Sequence, residues 1–284
     1  MDKLTLKSPA KINLSLEVLK KREDGYHQIR SLMQAVDLFD ELILEKRPKG
    51  VVISSDHPRC PADETNLAFK AASLLLQEEK EEQGVAIHIT KRIPISAGLG
   101  GGSSNAAAAL KGVRQLLDLK VPDGRLHELA ARVGSDVPFF LYSGQALVEG
   151  RGEEIRPIRI YGGYWLVLVC PGIEVPTRWA YQNVKISLTK GSRDVNLGNL
   201  RDASGFFAAL PHFENDLEEV VSKRYPITRR IKDSLENFGA VKSSMSGSGP
   251  TVYGVFEQKP QAEEVARKLL RGDWQVFLTR PIPG

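Results

Sequence analysis

The sequence predicts an α+β protein with two domains, residues 1–155 and 156–284. Strands with alternating apolar and polar residues are mixed with helices of 3.6-residue periodicity in the first half. The second half follows the order strand, helix, strand, strand, helix, strand. Between the halves lies a charged stretch with glycine and proline, residues 150–157, which is typical of a domain boundary.

The first domain begins with a strand over residues 10–18, in which apolar and polar side chains alternate. Lys11 and Asn13 lie on its polar face, and from this pattern alone we interpret Lys11 as a solvated surface residue. The other predicted elements are strands at 40–47, 50–55 and 84–93, and helices at 63–80, after 102, and at 122–134.

The second domain has the order of a split βαβ, or ferredoxin-like, plan. Its predicted elements are strands at 164–170, 240–245, 251–256 and 274–279, and helices at 226–238 and 260–270. A polar region at 175–222 interrupts this order and carries no predicted element. Within this region, residues 183–205 match no motif, and the sequence indicates no role for them.

Composition places the chain among ordinary globular proteins and excludes several classes. The 284 residues carry a net charge of +4, and no basic run favours nucleic acid. Two distant cysteines, Cys60 and Cys170, form no zinc motif, and two free thiols are favoured over one disulfide. The N-terminus lacks an apolar signal core, and no apolar run is long enough to span a bilayer. We therefore expect a cytoplasmic protein with neither a membrane nor a nucleic-acid partner.

A glycine-rich segment directly precedes an alanine-rich helix in the stretch PISAGLGGGSSNAAAAL. We call residues 94–104 the glycine loop. Unpaired N–H groups at a helix N-terminus bind anions, and glycines allow positive φ and close approach of the backbone. Ser103 or Ser104 could cap the helix or turn a hydroxyl toward a phosphate or its metal ion. The pattern favours a phosphate site, and the alternative is a flexible turn before a core helix.

The glycine loop matches neither of two familiar phosphate motifs. A P-loop requires lysine after its last glycine, and no lysine follows Gly102. A dinucleotide fingerprint requires glycine at its sixth place, which here is Ser103. The sequence therefore favours neither a Walker-type ATPase nor a Rossmann dehydrogenase.

Asp136 is the candidate general base, because its carboxyl precedes an apolar run in GSDVPFF. A nearby cation such as Lys11 would hold this carboxyl ionised and stabilise a transferring phosphoryl group. The alternative role for Asp136 is a helix or turn cap. A second small-residue segment, Ser246–Gly249, is either a simple hairpin turn or a point of close approach for a backbone or ligand. We call it the serine–glycine turn.

Five segments together resemble the GHMP kinases: SPAKINLSLEV, KREDGYHQI, PISAGLGGGSSNAAAAL, GSDVPFFL and SGSGPTV. The resemblance covers nearly the whole chain. It is strongest to the branch that phosphorylates 4-diphosphocytidyl-2-C-methyl-D-erythritol in the non-mevalonate isoprenoid pathway. Glu23 departs from the proline usual before DGYH, which affects the rigidity of a turn and not the chemistry.

The resemblance implies an N-terminal ribosomal-protein-S5-like domain, a C-terminal ferredoxin-like domain, and ATP with Mg²⁺ as co-substrate. It implies that Asp136 takes the proton of the acceptor hydroxyl and that Lys11 is its electrostatic partner. The implied ATP-binding residues are Asn66, Lys91, Pro94, Ile95, Ser96, Ala97, Gly98, Leu99, Gly100, Gly101, Gly102, Ser103 and Ser104. The implied acceptor-binding residues are Asn13, Tyr26, His27, Thr177, Tyr181, Ser246, Gly247, Ser248 and Gly249. Of these, Tyr26, His27 and Tyr181, which we call the aromatic group, would hold a cytosine.

Three alternatives stay open at the level of sequence. Another GHMP kinase would act on mevalonate, homoserine or a sugar, but those acceptors offer no base for Tyr26 and Tyr181 to stack on. A non-catalytic nucleotide sensor would not need both Asp136 and Lys11. An RNA-binding module is suggested only by the S5-like domain, and the mild charge disfavours it. We expect small-molecule substrates and a monomer or homodimer.

Overall fold

The computed structural model describes residues 2–142, 144–186, 197–270 and 273–284. The chain packs as two compact units whose ranges interleave. Unit 1 comprises Met1–Ala10, Leu38–Ile95 and Gly100–Tyr142, and unit 2 comprises Lys11–Asp37, Ser96–Leu99 and Ser143–Gly284. The division into domains at residue 155 stays a prediction.

The described residues form ten strands and eight α-helices in mixed order, numbered here in chain order. The strands are β1 (Lys3–Lys21), β2 (His27–Arg47), β3 (Val51–Ser55), β4 (Gly84–Thr90), β5 (Gln145–Glu149), β6 (Glu154–Pro157), β7 (Trp165–Cys170), β8 (Lys242–Met245), β9 (Val252–Phe256) and β10 (Gln275–Thr279). The α-helices are α1 (Leu67–Glu78), α2 (Gly101–Leu116), α3 (Asp123–Val133), α4 (Thr177–Asn183), α5 (Ala203–Ala209), α6 (Glu218–Arg224), α7 (Pro226–Asn237) and α8 (Lys259–Leu269). Short 3₁₀ helices cover Pro138–Leu141, Leu197–Arg201 and Leu210–His212.

Unit 1 places helices against a small mixed sheet. The second half of β2 pairs antiparallel with β4, from Glu41 opposite Thr90 to Arg47 opposite Gly84, and β4 pairs parallel with β3. Helices α1 and α2 pack against each other, and their inward alanines are buried beside leucines and isoleucines of the strands. Alanine loses no side-chain entropy on burial, so these helices are well suited to a close-packed pair.

Unit 2 contains the predicted ferredoxin-like arrangement. Its four-stranded sheet has the order β10-β7-β9-β8, and every neighbouring pair is antiparallel. Helices α7 and α8 bury Ile231, Leu235 and Val265 against Val167 and Phe256 of the sheet. Elsewhere in unit 2, β5 pairs with the first half of β2 and with β6. The element order predicted from the second half of the sequence is therefore confirmed.

Several elements were not predicted. The sequence carries no clear signal for the first half of β2, for β5 or for β6, which are short or irregular in pattern. Helices α4 and α5 lie in the polar region 175–222, where no element was expected, and α6 begins in this region and ends at Arg224. Each of these three helices has only seven residues, which is too short to show a helical period clearly.

Candidate active site

The polar face of β1 is buried around Lys11 and Asn13, so the interpretation of Lys11 as a surface residue is wrong. Lys11 is 3% exposed and Asn13 is 1% exposed. The Lys11 ammonium donates to Asn13 Oδ1 at 2.6 Å, and Asn13 Nδ2 donates to Ser31 Oγ at 2.8 Å. Alternation identifies a polar face, but it does not show whether other elements cover that face. A lysine is almost never buried without a partner or a function, which makes Lys11 a stronger candidate than its sequence suggested.

The glycine loop leads directly into α2, as the sequence predicts. Gly98 and Gly100 have φ of +77° and +69°, which L-residues rarely adopt. The helix begins at Gly101, and its N-cap is Gly100 with no side-chain hydrogen bond. The expectation that Ser103 or Ser104 caps the helix is therefore wrong, because the helix begins before them. The N–H groups of a first helical turn are of the kind that binds anions, so phosphate binding by this segment stays a prediction.

Part of the glycine loop lies against the serine–glycine turn within unit 2. The Ser246 hydroxyl donates to the Gly98 carbonyl at 3.0 Å. A Cβ on Gly98 would lie 2.4 Å from the Ser246 carbonyl oxygen and 2.9 Å from that of Gly249. The small residues of this turn thus make room for another backbone, which is one of the two possibilities the sequence left open.

Lys11 and Asn13 lie at the same place in unit 2. The Lys11 N–H donates to the Leu99 carbonyl at 2.9 Å. A Cβ on Gly247 would lie 3.2 Å from Lys11 Nζ, 3.3 Å from Asn13 Oδ1 and 3.4 Å from the Gly98 carbonyl oxygen. Three segments far apart in sequence therefore bring a buried ammonium, an amide and two glycine-rich backbones together.

The serine–glycine turn is held by two polar side chains. Asn215 Nδ2 donates to the carbonyls of Met245 and Gly247, both at 2.8 Å, and Asn215 is buried. The hydroxyls of Thr177 and Ser248 are 2.9 Å apart. Sequence reasoning included Thr177 but missed Asn215, because a lone asparagine in a polar region carries no local signal.

Asp136 lies in unit 1, in the turn between α3 and the 3₁₀ helix Pro138–Leu141, and is partly buried. That 3₁₀ helix has Val137 as its N-cap, with no side-chain capping bond, and α3 ends at Val133 with Gly134 as its C-cap. Asp136 is therefore not the N-cap of the helix that follows it. Its role as a base, and its pairing with Lys11, stay predictions.

The aromatic group lies in unit 2. The rings of His27 and Tyr181 stack with centroids 5.4 Å apart and an interplanar angle of 30°. Tyr26 is 52% exposed, and the Arg151 guanidinium lies 5.1 Å from its ring centroid. Burial, and secondarily the charge of Lys21, lowers the pKa of His27. Arg151 was missed from sequence, because the stretch that contains it was interpreted as a domain boundary.

Asn66 and Lys91 have their side chains engaged inside unit 1. Asn66 is the N-cap of α1: its Oδ1 accepts from the Ala68 N–H at 2.9 Å, and its Nδ2 donates to the Pro61 carbonyl at 2.7 Å. The buried Lys91 ammonium pairs with Asp40. Contact of Asn66 or Lys91 with adenosine stays a prediction, because the bonds of both side chains lie inside unit 1.

The described residues were also compared with the requirements of a metal site, a membrane span and a disulfide. Among them, no three His, Cys, Asp or Glu side chains form a metal-binding group. Within the same ranges, no helix has the length and apolarity needed to cross a bilayer. Cys60 and Cys170 are buried free thiols, as expected, and burial raises the pKa of Cys170 to about 11.

Comparison with known proteins decides the family. The GHMP kinases N terminal domain profile matches residues 66–144, and the GHMP kinases C terminal profile matches residues 194–274. A relative from Acetivibrio thermocellus, named 4-diphosphocytidyl-2-C-methyl-D-erythritol kinase, is 40% identical over 292 residues, covering 99% of this chain and 100% of the relative. The chain belongs to the GHMP kinase family.

Other GHMP kinases agree with this assignment. A Geobacter sulfurreducens relative with the same name is 42% identical over 283 residues and covers 99% of this chain and 100% of the relative. A crystal structure of 4-(cytidine 5'-diphospho)-2C-methyl-D-erythritol kinase matches with a TM-score of 0.83 and 32% identity, covering 99% and 100% of the two chains. A homoserine kinase from Cytophaga hutchinsonii, with a TM-score of 0.75, 24% identity and coverage of 100% and 96%, shares the fold.

Proposed function

We propose that this GHMP kinase transfers the γ-phosphoryl group of ATP to the 2-hydroxyl of 4-diphosphocytidyl-2-C-methyl-D-erythritol. The names of the full-length relatives at about 40% identity support this acceptor. The observation that carries the mechanism is the convergence of the glycine loop, the serine–glycine turn and the buried Lys11 ammonium. Such an arrangement suits phosphoryl transfer, which needs alignment and charge stabilisation more than covalent chemistry.

In the proposed reaction, the N–H groups of the glycine loop and the first turn of α2 bind the ATP phosphates. Asp136 accepts the proton of the acceptor hydroxyl as its oxygen bonds to the γ-phosphorus and ADP leaves. Lys11 stabilises the negative charge on the transferring group, and Asn13 orients the Lys11 ammonium through the bond at 2.6 Å. A buried ammonium is effective here because a low local dielectric strengthens its field.

Magnesium accompanies ATP in this proposal. Mg²⁺ commonly uses substrate phosphates, water and one or two carboxylates, so the lack of a three-residue metal group among the described residues is compatible with it. When bound, the ion would neutralise phosphate charge. The same proposal includes a cytoplasmic location for the enzyme.

The aromatic group would bind the cytosine of the acceptor. Its members are Tyr26, His27 and Tyr181, and their aromatic ring faces are suited to stacking on a base. A cytidine diphosphate far from the reacting hydroxyl supplies binding energy that positions this hydroxyl. Mevalonate, homoserine and galactose have no comparable group.

A coupled ADP-release assay tests the proposal. The purified chain is given ATP and Mg²⁺ with the cytidylylated methylerythritol, mevalonate, homoserine or galactose, each at the same concentration. We expect ADP release with the cytidylylated acceptor far above the rate with the other three. Equal or greater release with one of the other acceptors would support a GHMP kinase of different specificity.

A further inference from the structure

Asp40 is a completely buried carboxylate in unit 1 that the proposed mechanism does not use. It lies on β2, is 0% exposed, and accepts four hydrogen bonds. One oxygen accepts from the backbone N–H groups of Arg92 at 2.7 Å and Ile93 at 2.9 Å. The other accepts from the Lys91 ammonium and from Asn105 Nδ2, the latter at 2.9 Å.

The same network reaches the first turns of α2. Asn105 Nδ2 also donates to Ser8 Oγ at 3.0 Å, and the Ser8 hydroxyl donates to Ser104 Oγ at 2.7 Å. Ser8, Ser104 and Asn105 are all buried. A hydrogen-bonded network that is shielded from water and connected in this way holds its members in one arrangement.

These bonds fall on both sides of the glycine loop. Residues 91–93 directly precede the loop at Pro94, and Asn105 directly follows its last residue, Ser104. One carboxylate therefore bonds to the segment that enters the loop and to the helix that leaves it. Because a phosphate site built from backbone N–H groups depends on their directions, fixing both ends of the loop fixes the site.

Charge explains why an aspartate is needed at position 40. The Lys91 ammonium lies under the start of α2, where a Cβ on Gly101 would be 3.2 Å from Lys91 Nζ. A cation at the positive end of a helix dipole is unfavourable, and Asp40 neutralises it. Without the carboxylate, the ammonium would be buried beside the helix N-terminus with no counter-charge, so it would displace the first turn.

We propose that Asp40 is a positioning residue for ATP: through Lys91, Asn105 and the backbone of residues 92 and 93, it holds both ends of the glycine loop in the conformation that binds phosphates. The inference rests on the proposed function only in taking ATP as the ligand of this loop. Sequence reasoning had no means of finding Asp40, whose bonding partners are 51 to 65 residues away in the chain.

The test compares Asp40→Asn with a double variant, Asp40→Asn with Lys91→Met. In the single variant, Oδ1 of the new amide still accepts from residues 92 and 93, but its NH₂ group faces two donors, Lys91 and Asn105. We expect the dissociation constant for ATP to rise about tenfold to hundredfold, as for loss of a hydrogen bond to a charged group. The Michaelis constant of the acceptor should stay unchanged.

The double variant should recover most of the ATP affinity. Lys91 Nζ donates to Asn105 Oδ1 at 3.3 Å, so Lys91→Met frees that oxygen, and the Asn105 amide can turn over to accept from the new amide. The link from β2 to α2 is then restored with neutral groups. If Asp40→Asn does not fold, Asn105→Ala gives the same measurement, since it removes the link to α2 and keeps the pair of Asp40 and Lys91.

Leu44→Ala is the matched control for a loss of stability alone. Leu44 is fully buried on the same strand and lies against α2 near Gly112, far along the helix from the loop. We expect this control to lower the melting temperature and to leave the ATP dissociation constant unchanged at a temperature where it is folded. An equal weakening of ATP binding by Leu44→Ala would overturn the proposal.

ATP binding is measured by calorimetry without any acceptor, which separates this inference from the proposed function. A wild type that binds ATP but does not phosphorylate the cytidylylated acceptor contradicts the function alone, because weaker ATP binding by Asp40→Asn would still support the role of Asp40. A folded Asp40→Asn variant with wild-type ATP affinity overturns the positioning role. Parallel changes in the ATP and acceptor constants, or a double variant that recovers stability without ATP affinity, also overturn it.

Discussion

The glycine loop and the aromatic group differ in how firmly the protein holds them. Gly98 accepts a hydrogen bond from the Ser246 hydroxyl, and the loop is flanked by the buried bonds of Asp40. In the aromatic group, Tyr26 is half exposed and His27 and Tyr181 are joined by a ring contact. The nucleotide side of the proposed reaction is thus preformed in the backbone, and the acceptor side relies on ring faces, of which Tyr26 is exposed and Tyr181 is partly buried against a core cluster.

This difference predicts where substitutions have large effects. Backbone N–H groups bind phosphate only in one geometry, so a change at the loop should affect ATP strongly. Ring faces tolerate small displacements, and each contributes a modest part of the affinity. The comparison would fail if the aromatic group were as sensitive to substitution as the loop.

Asp136→Asn should have the largest effect. Asp136 belongs neither to the glycine loop nor to the aromatic group, so this variant tests catalysis apart from the binding of either substrate. Asparagine keeps the shape of the side chain and removes the base, so turnover should fall by roughly 10²–10⁴-fold. A dissociative transition state, which needs little early proton transfer, favours the lower part of that range. The Michaelis constants for ATP and the acceptor should change little.

Steady-state kinetics of Asp136→Asn are compared with those of Asp123→Asn. Asp123 is an exposed aspartate in the first turn of α3, and its substitution should leave turnover unchanged. A rate for Asp136→Asn within a few-fold of wild type would mean that this residue is structural and that another group takes the proton.

Gly98→Ala tests the glycine loop. A residue with Cβ at φ of +77° costs about 1–2 kcal/mol, and the contact of that Cβ with the Ser246 carbonyl adds about 1–3 kcal/mol. We expect the free energy of unfolding to fall by about 2–5 kcal/mol and ATP binding to weaken greatly. Urea unfolding and calorimetry measure the two effects.

Gly172→Ala is the control for Gly98→Ala. Gly172 has φ of +72°, and a Cβ at this position would have no atom within 4 Å, so only the cost of its backbone conformation applies. ATP affinity should be unchanged in this control. If both variants lose the same stability and neither loses ATP affinity, the approach of the serine–glycine turn to the loop is unimportant.

The same contrast explains what the sequence could predict. Local patterns identified the glycine loop with its helix and the element order of the ferredoxin-like sheet, because turn chemistry and periodicity are local. Burial of Lys11 was not predicted, since alternation in β1 does not show what covers its polar face. Asp40 and Asn215 were missed because their partners are distant in sequence and each stands alone among unrelated residues.

The residue at which α2 begins could not be predicted from the sequence. A serine before an alanine run is a common N-cap signal, but Gly100 adopts the left-handed conformation and starts α2 ahead of Ser103. Ser104 is then buried in the network of Asp40 and Ser8. The motif was recognised correctly as a helix N-terminus; capping by Ser103 or Ser104 was wrong, and their contact with phosphate stays a prediction.

Tyr26→Ala and Tyr181→Ala test the aromatic group. Loss of one stacking ring should cost about 1–3 kcal/mol, or roughly tenfold to hundredfold in the Michaelis constant of the cytidylylated acceptor. The constant for ATP should remain nearly unchanged. Phenylalanine at either position should restore most of the affinity, because the flat face carries the interaction, and at position 26 it also keeps the contact with Arg151.

Melting temperatures distinguish binding from folding in these tyrosine variants. If the tyrosines serve only to stabilise the fold, alanine lowers the melting temperature and affects both substrates alike. That result would remove the argument for a cytidine-bearing acceptor and leave a kinase of another specificity.

His27 should give the smallest effect, which appears as a dependence of stability on pH. Burial, and then the charge of Lys21, lowers the pKa of His27 below its ordinary value of 6.5. The folded state therefore binds fewer protons than the unfolded state between the lowered pKa and 6.5. By linkage, this contribution to stability is fully present above pH 6.5 and is lost as the pH falls through the folded pKa. Because His27 is only partly buried, solvent screening keeps the effect small.

The measurement is the melting temperature of wild type and His27→Gln from about one pH unit above the ordinary histidine pKa to about one unit below it, since glutamine keeps polarity without titrating. The difference between the two proteins isolates His27 from the other groups that titrate in this range. We expect wild type to lose slightly more stability on acidification than the variant. A wild type that gains stability relative to His27→Gln would mean that the folded protein favours the imidazolium, and the stacked pair of His27 and Tyr181 would then be a charged surface and a poorer match for a neutral cytosine.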